Sequence, residues 1–322
     1  MRAGDFHRAW QISDGDLALA LHAGSPKHGG PRHLQRIWRG EPIEGRRTLV
    51  RCYHGLGDTI QFARFLAPLR RLASEVIVWC QPELLPLIKT AEGVDQVLPL
   101  HDGAPEVKFD VDIEIMEIPH AIRASRDQII MHRPYLRTSR SESPMQSENT
   151  GVFSIGLVWD VGNWDRRRIV PSGLLKQLNV PGAQLYSLQR GPAARAAHEI
   201  GAIDISAADI NSLGDRLQKL DLCICPDTMV AHLSGALGRE TWIMLHADCD
   251  WRWPASGRET LWYPTVRLFR QHIAGDWRDV MADLRSAISE RIGNVEAIKN
   301  ARRHGVIEGS APLVEETDVV GR

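Results

Sequence analysis

Polar runs set directly after strand-like stretches hold the residues best suited to chemistry. The first is Asp227-Thr228-Met229-Val230-Ala231-His232-Leu233-Ser234-Gly235-Ala236-Leu237-Gly238, with strand-like residues 221–225 before it and 241–245 after it. Strand, tight turn, glycine-ended helix and strand make a parallel βαβ unit. Asp227 and Thr228 are N-cap types, so the helix is predicted to open beside them. Its first N–H groups and its dipole would then stand at the carboxyl end of a strand, where an anion is favoured. His232 follows Thr228 by four residues and shares its helical face. Small Ser234 and Gly235 permit close approach of another backbone. A phosphate-bearing ligand fits this turn.

Gly55-Leu56-Gly57-Asp58 also follows a strand and opens a helix. It lacks the third glycine near Gln61 and the acidic residue after the second strand that a dinucleotide fingerprint needs, and no Gly-Lys-Ser/Thr follows. What remains is a carboxylate at a helix start, either an N-cap or a base for a substrate hydroxyl. Arg166-Arg167-Arg168 follows the strand ending at Trp159 and reads as a diphosphate clamp or a solvated turn. Ser187-Leu188-Gln189-Arg190-Gly191 ends another strand and points to the same ligand edge. Asp110-Val111-Asp112 and Asp248-Cys249-Asp250 could each hold a divalent metal on a nucleotide diphosphate. Alternation of Asp110, Asp112 and Glu114 with Val111, Ile113 and Ile115 favours a solvent-facing strand surface instead. Asp250-Trp251-Arg252-Trp253 and Trp262-Tyr263-Pro264 could stack on a base or sugar, or pack beneath a loop. No Gly-x-Ser-x-Gly elbow and no His-Glu-x-x-His occurs.

These runs need two α/β halves to position them. The 322 residues favour two domains or one large one, and 43% hydrophobic residues suffice for a core. A net charge of −1 disfavours a general nucleic-acid binder. Five cysteines, mostly in apolar runs, suit core packing in a reducing cytoplasm. No secretory signal or membrane-length apolar run is visible, so membrane contact is at most peripheral. Residues 1–46 read as an extension with a weak helix at 15–22. Residues 47–140 give strands at 48–53, 75–80, 94–100 and 109–118, with helices at 58–72 and 82–90. A polar linker covers 138–150. Residues 151–275 give strands at 153–159 and 184–188, a short strand within 199–208, helices at 172–178 and 210–220, then the βαβ unit. A long helix, 276–302, is expected to break near Gly293 and could return to the first half, and residues 303–322 form a disordered tail. The fold class is α/β, two doubly wound sheets facing across a cleft, with ligand at the carboxyl ends of the strands.

Several ordered motifs together resemble glycosyltransferase family 9, in the branch often linked to tetratricopeptide repeats. They are Arg36-Ile37-Trp38-Arg39-Gly40-Glu41-Pro42-Ile43, the run from Gly55 to Phe65, Gly156-Leu157-Val158-Trp159, Ser187 to Gly191, Pro226 to Gly238, Asp250 to Trp253, Pro264 to Gln271 and Gly275-Asp276-Trp277. The resemblance implies a GT-B fold of two Rossmann-like domains, an acceptor half and a donor half. It implies inverting, metal-independent transfer of a heptose-like sugar, as in lipopolysaccharide biosynthesis. Asp58 would be the general base, beside an acceptor-side loop of Gly55, Gly57 and Gln61. Asp227, Thr228, Met229, His232, Arg168, Gln189 and Trp159 would hold the donor. No cofactor is implied beyond the nucleotide-diphosphate sugar substrate, ADP-linked first among candidates. The acceptor would be a glycan, a lipid-linked glycan or a protein. His54 departs from the glutamine common in that branch, the loop 160–168 is short, and residues 1–35 are too few for a repeat array. Rival readings are a non-catalytic nucleotide-sugar-binding protein and a metal-dependent transferase.

Overall fold

The computed structural model describes residues 2–138, 152–162 and 164–303. The expected linker, Thr138 apart, and the acidic tail beyond Arg303 lie outside them. Strands β1 Arg47–Arg51, β2 Glu75–Cys80, β3 Gln96–Pro99 and β4 Val111–Glu114 form a parallel sheet in the order β3-β2-β1-β4. A second parallel sheet takes β5 Phe153–Leu157, β6 Ala183–Ser187, β7 Ile203–Asp204, β8 Leu222–Pro226, β9 Thr241–Leu245 and β10 Val266–Arg270 in the order β10-β9-β8-β5-β6-β7. Each order reverses beside its first strand, between β1 and β4 and between β5 and β8. Loops leaving such a pair diverge and open a crevice at the strands' carboxyl ends. The expected doubly wound architecture is therefore present in both halves.

Among the described residues the five longest helices are α1 Phe6–His22, α2 Leu56–Phe62, α3 Ile210–Lys219, α4 Met229–Ala236 and α5 Arg278–Arg303. Helices α2 and α4, from opposite lobes, pack directly on each other. Ile60, Phe62 and Leu66 share one continuous apolar cluster with Leu233, Ala236 and Tyr263. Fully buried Arg64 strengthens this junction. Its Nη1 donates to Ile129 O at 2.8 Å and Trp262 O at 2.5 Å, and its guanidinium lies 4.6 Å from the Tyr263 ring centre. A buried cation without a carboxylate is tolerable when carbonyls and aromatic faces replace water.

Several elements differ from expectation. Helix 58–72 is divided into α2, a 3₁₀ turn Ala63–Phe65 and a helix Leu66–Arg70. Pro68 has no N–H to give the carbonyl of Arg64, so one unbroken α ladder cannot form. Helix α1 starts nine residues before the weak signal at 15–22, because Phe6 and Trp10, four apart, both bury and Trp10 Nε1 donates to Ala124 O at 3.1 Å. Strand β10 was not anticipated, since its short run follows a turn-rich loop. Helix α5 runs unbroken through Gly293. Its Leu284, Ile288 and Ile292, four apart, join Trp159 and Trp242 in the core of the second lobe, not the first.

The strand-surface reading of β4 is also corrected. Asp112 and Glu114 are buried. Asp112 lies 2.5 Å from Lys27 Nζ, 3.2 Å from His28 Nε2 and 2.9 Å from Arg51 Nε. The N-terminal extension covers this sheet face, and alternation cannot distinguish a face meeting water from one meeting a basic strap.

Candidate active site

The two switch-point crevices meet in one cavity of about 800 Å³. From the first lobe it takes Tyr53, His54 and the start of α2 after β1, with Met116 after β4. From the second it takes Val158, Asp160, Trp164 and Arg168 after β5, and Asp227 through Val230 after β8. Gly57 lets the helix starts converge: a Cβ there would stand 3.0 Å from His232 Cδ2 and 3.4 Å from Met229 Cα.

Asp58 is the third residue of α2, not its N-cap. Its Oδ2 accepts the Gly55 N–H at 2.9 Å, closing the first turn, and its side chain is 26% exposed in the cavity wall. Its Oδ1 is paired with Arg252 Nη2 of the opposite lobe. Arg252 also donates from Nε to Gln61 Oε1 at 2.7 Å and from Nη1 to Asp250 Oδ1 at 3.0 Å. Sequence reasoning missed Arg252 as a site residue. Its signal was an arginine within the run Asp250 to Trp253, overshadowed by the aromatics. Gln61 is buried and does not line the cavity, so it reaches the site only through Arg252.

On the facing wall, Thr228 is the N-cap of α4, and its Oγ1 has no hydrogen-bond partner among the described residues. Arg168 Nη1 donates to Asp227 O at 2.5 Å, which sets the guanidinium beside the helix start. Of the three arginines only Arg168 enters the cavity; Arg167 turns outward to Asp165 at 2.9 Å and Asp248 at 3.2 Å. Burial pushes the Asp227 carboxyl above the usual aspartate range, although the Arg168 charge opposes it. His232 is buried, with Nδ1 2.9 Å from the Tyr263 hydroxyl and its ring stacked on Trp253 at 5.8 Å. Burial, then the charges of Arg252, Arg64 and Arg168, hold its pKa well below the ordinary value. The imidazole is therefore neutral near pH 7 and forms a rigid floor beneath the helix start.

Gln189 holds the β5 loop. Its Oε1 accepts from Trp159 N at 3.0 Å and Asp160 N at 2.9 Å, while its Nε2 donates to Arg190 O at 3.0 Å. Trp159 is a correction. Its side chain is 2% exposed and packs in the second lobe's core away from the cavity, because at this position the strand's alternation turns it toward α5.

On the first-lobe side, His54 Nδ1 lies 2.9 Å from Glu114 Oε1 without straight hydrogen-bond alignment. Burial pulls the His54 pKa down, but the Glu114 carboxylate, with a further contribution from Asp58, outweighs it and raises the value. Trp164, 82% exposed, meets His33 edge-on at 5.9 Å across the cavity mouth. Of the Asp-x-Asp residues, Asp110 accepts Arg47 N–H at 2.9 Å and Asp112 is engaged by the strap. No three His, Cys, Asp or Glu side chains among the described residues converge as a metal-ligand set. Cys223 and Cys225 pack in the core as free thiols.

Beneath Glu114, Glu117 Oε2 accepts the N–H groups of Trp38 at 2.9 Å and Glu114 at 3.0 Å. Burial pushes its carboxyl up to about 7, from 4.5, despite these bonds, and the charge of Glu114 adds to the rise. Between those values the folded chain keeps a proton on Glu117 that the unfolded chain loses, so the contribution of this group to stability falls as pH rises. The contribution lost is roughly 3 kcal/mol. In urea unfolding at about pH 5 and about pH 7.5, wild type should lose more stability, or gain less, than Glu117→Gln over that interval. Equal slopes would disprove the assignment.

No protein-family model matches the chain. Protein FlbA of Caulobacter vibrioides is 23% identical over 290 residues, covering 79% of this chain and 48% of that protein. The chain thus spans about half the length of that relative. Among solved structures, E. coli ADP-heptose lipopolysaccharide heptosyltransferase II is similar with a TM-score of 0.54 at 13% identity, covering 79% of this chain and 99% of the other. The E. coli heptosyltransferase WaaC with ADP gives 0.51 at 11% identity, over 76% and 99%. A glycosyl transferase family 9 structure from Veillonella parvula gives 0.50 at 12% identity, over 72% and 87%. The fold shared with these enzymes is GT-B. Among the described residues no helix is long and apolar enough to cross a membrane.

Proposed function

We propose that this chain is an inverting, metal-independent glycosyltransferase of the family 9 type. It moves a heptose-like sugar from a nucleotide-diphosphate donor, ADP-linked, to a hydroxyl of a glycan, lipid-linked glycan or protein. Lipopolysaccharide assembly in the cytoplasm is the setting this reading favours. One observation carries it: Asp58, Arg168 and the start of α4 line the same interlobe cavity. The diphosphate rests on the first N–H groups of α4, with Arg168 completing its cradle. Asp58 takes the proton as the acceptor oxygen bonds to the anomeric carbon. The bond from that carbon to the diphosphate breaks, and the departing electron pair gathers on an oxygen facing the helix start and Arg168. Tyr53, His33 and Trp164 offer the acceptor polar and aromatic surface at the mouth.

Incubation with ADP-heptose, UDP-N-acetylglucosamine and GDP-mannose in EDTA, followed for nucleotide release, tests the reading. Release from at least one donor is expected, and none from any would reject it. Arg168→Ala should weaken calorimetric ADP affinity about ten- to a hundredfold, the worth of a charge-assisted hydrogen bond. Unchanged affinity would remove Arg168 from the cradle.

A further inference from the structure

We propose that Arg252 is the positioning residue of the base, so that a side chain of the second lobe completes the catalytic group of the first. The inference rests on the reading of Asp58 given above. A carboxylate held at one oxygen can still swing about its side-chain bonds. Asp58 is held at both: Oδ2 by the Gly55 N–H of its own helix turn, Oδ1 by Arg252 across the cleft. Each oxygen keeps lone-pair capacity for an acceptor hydroxyl.

Arg252 is itself immobilised. Its side chain is 10% exposed, and its three nitrogens each reach a different residue: Asp58, Gln61 and Asp250. Its backbone is also fixed, since its N–H donates to Asp250 Oδ1 at 3.0 Å and its carbonyl accepts from Trp262 Nε1 at 2.9 Å. Trp251 flanks the guanidinium at 4.9 Å and Phe62 at 5.9 Å. Two carboxylates share this one cation, so the group of three retains a net negative charge. Arg252 therefore orients Asp58 without cancelling the charge that draws a proton. Gln61 and Asp58, three apart on α2, present to Arg252 as a pair. If the lobes part, Arg252 leaves with its loop and Asp58 loses its alignment.

The test uses the donor consumed fastest by wild type in the panel above, with ADP as the binding probe. Arg252→Ala should lower kcat about ten- to a hundredfold, the cost of a small misplacement of a reacting group. ADP affinity should stay within about twofold, because the three guanidinium nitrogens of Arg252 are taken up by Asp58, Gln61 and Asp250 and none by the α4 start in the same lobe. Arg252→Lys should recover part of the rate, since an ammonium reaches one carboxylate but cannot span all three partners. Asp58→Asn combined with Arg252→Ala should be no slower than Asp58→Asn alone, because both act through one carboxylate. If Asp58→Asn keeps the wild-type rate, or wild type consumes no donor, the base reading falls and this proposal with it. If Asp58→Asn is slow while Arg252→Ala and Arg252→Lys run at the wild-type rate, only the positioning role is overturned. It is equally overturned if the double variant shows multiplied losses, or if Arg252→Lys, folded by its melting curve, loses ADP binding.

Discussion

Asp58→Asn is expected to lower turnover about a hundred- to ten-thousandfold, the range for removing a positioned general base. The substitution is nearly isosteric, and the asparagine carbonyl still accepts the Gly55 N–H now held at 2.9 Å. Helix α2 should therefore keep its first turn. Arg252 keeps Asp250 at 3.0 Å and Gln61 at 2.7 Å, so the guanidinium is not left wholly unpaired. The loss should thus appear in kcat, while ADP affinity, set by Arg168 and the α4 start, holds. Nucleotide release followed by chromatography, with calorimetry on the same sample, separates the two. A variant as fast as wild type would mean that another group receives the acceptor proton. His54, paired with buried Glu114 on the same wall, would then be the next group to replace.

The site was legible in sequence where function follows from local chain direction. Gly55 to Asp58 and Asp227 to His232 each follow a strand and open a helix, so their place at the strands' carboxyl ends could be read from pattern alone. Strand order then sets both turns at the crevices, because β1 and β8, which they follow, each border the point where their sheet reverses. What stayed hidden depends on residues distant in the chain. Arg252 meets Asp58 across 194 positions, and no periodicity encodes that contact. Lys27 and His28 bury Asp112 from a segment without regular structure, so a strand that looked half-wet is dry. Trp159 illustrates a different limit. Its backbone N–H serves the loop while its ring serves the core, and the sequence position alone could not say which half mattered.

Gly57→Val should damage stability and donor binding together. A Cβ at this position would lie 3.0 Å from His232 Cδ2 and 3.4 Å from Met229 Cα. Neither neighbour can yield cheaply. His232 is pinned by Tyr263 at 2.9 Å and by stacking on Trp253, and Met229 is backbone of the first turn of α4. Valine adds two further methyl groups, so α2 and α4 must part. Overpacking of this kind costs about 1–3 kcal/mol. Separation also moves the α4 start away from Asp58, and ADP affinity should drop at least about tenfold as the cradle loses its geometry. Gly55→Ala is the matched control: its Cβ would meet only the Asp58 Oδ2 at 3.2 Å and no backbone of the other lobe, so α2 and α4 need not part. Melting curves should therefore rank wild type and Gly55→Ala above Gly57→Val, and calorimetry with ADP should give the same order. If Gly57→Val melts lower yet binds ADP as wild type does, the convergence of the two helix starts supports the fold alone, and the diphosphate must rest elsewhere in the cleft.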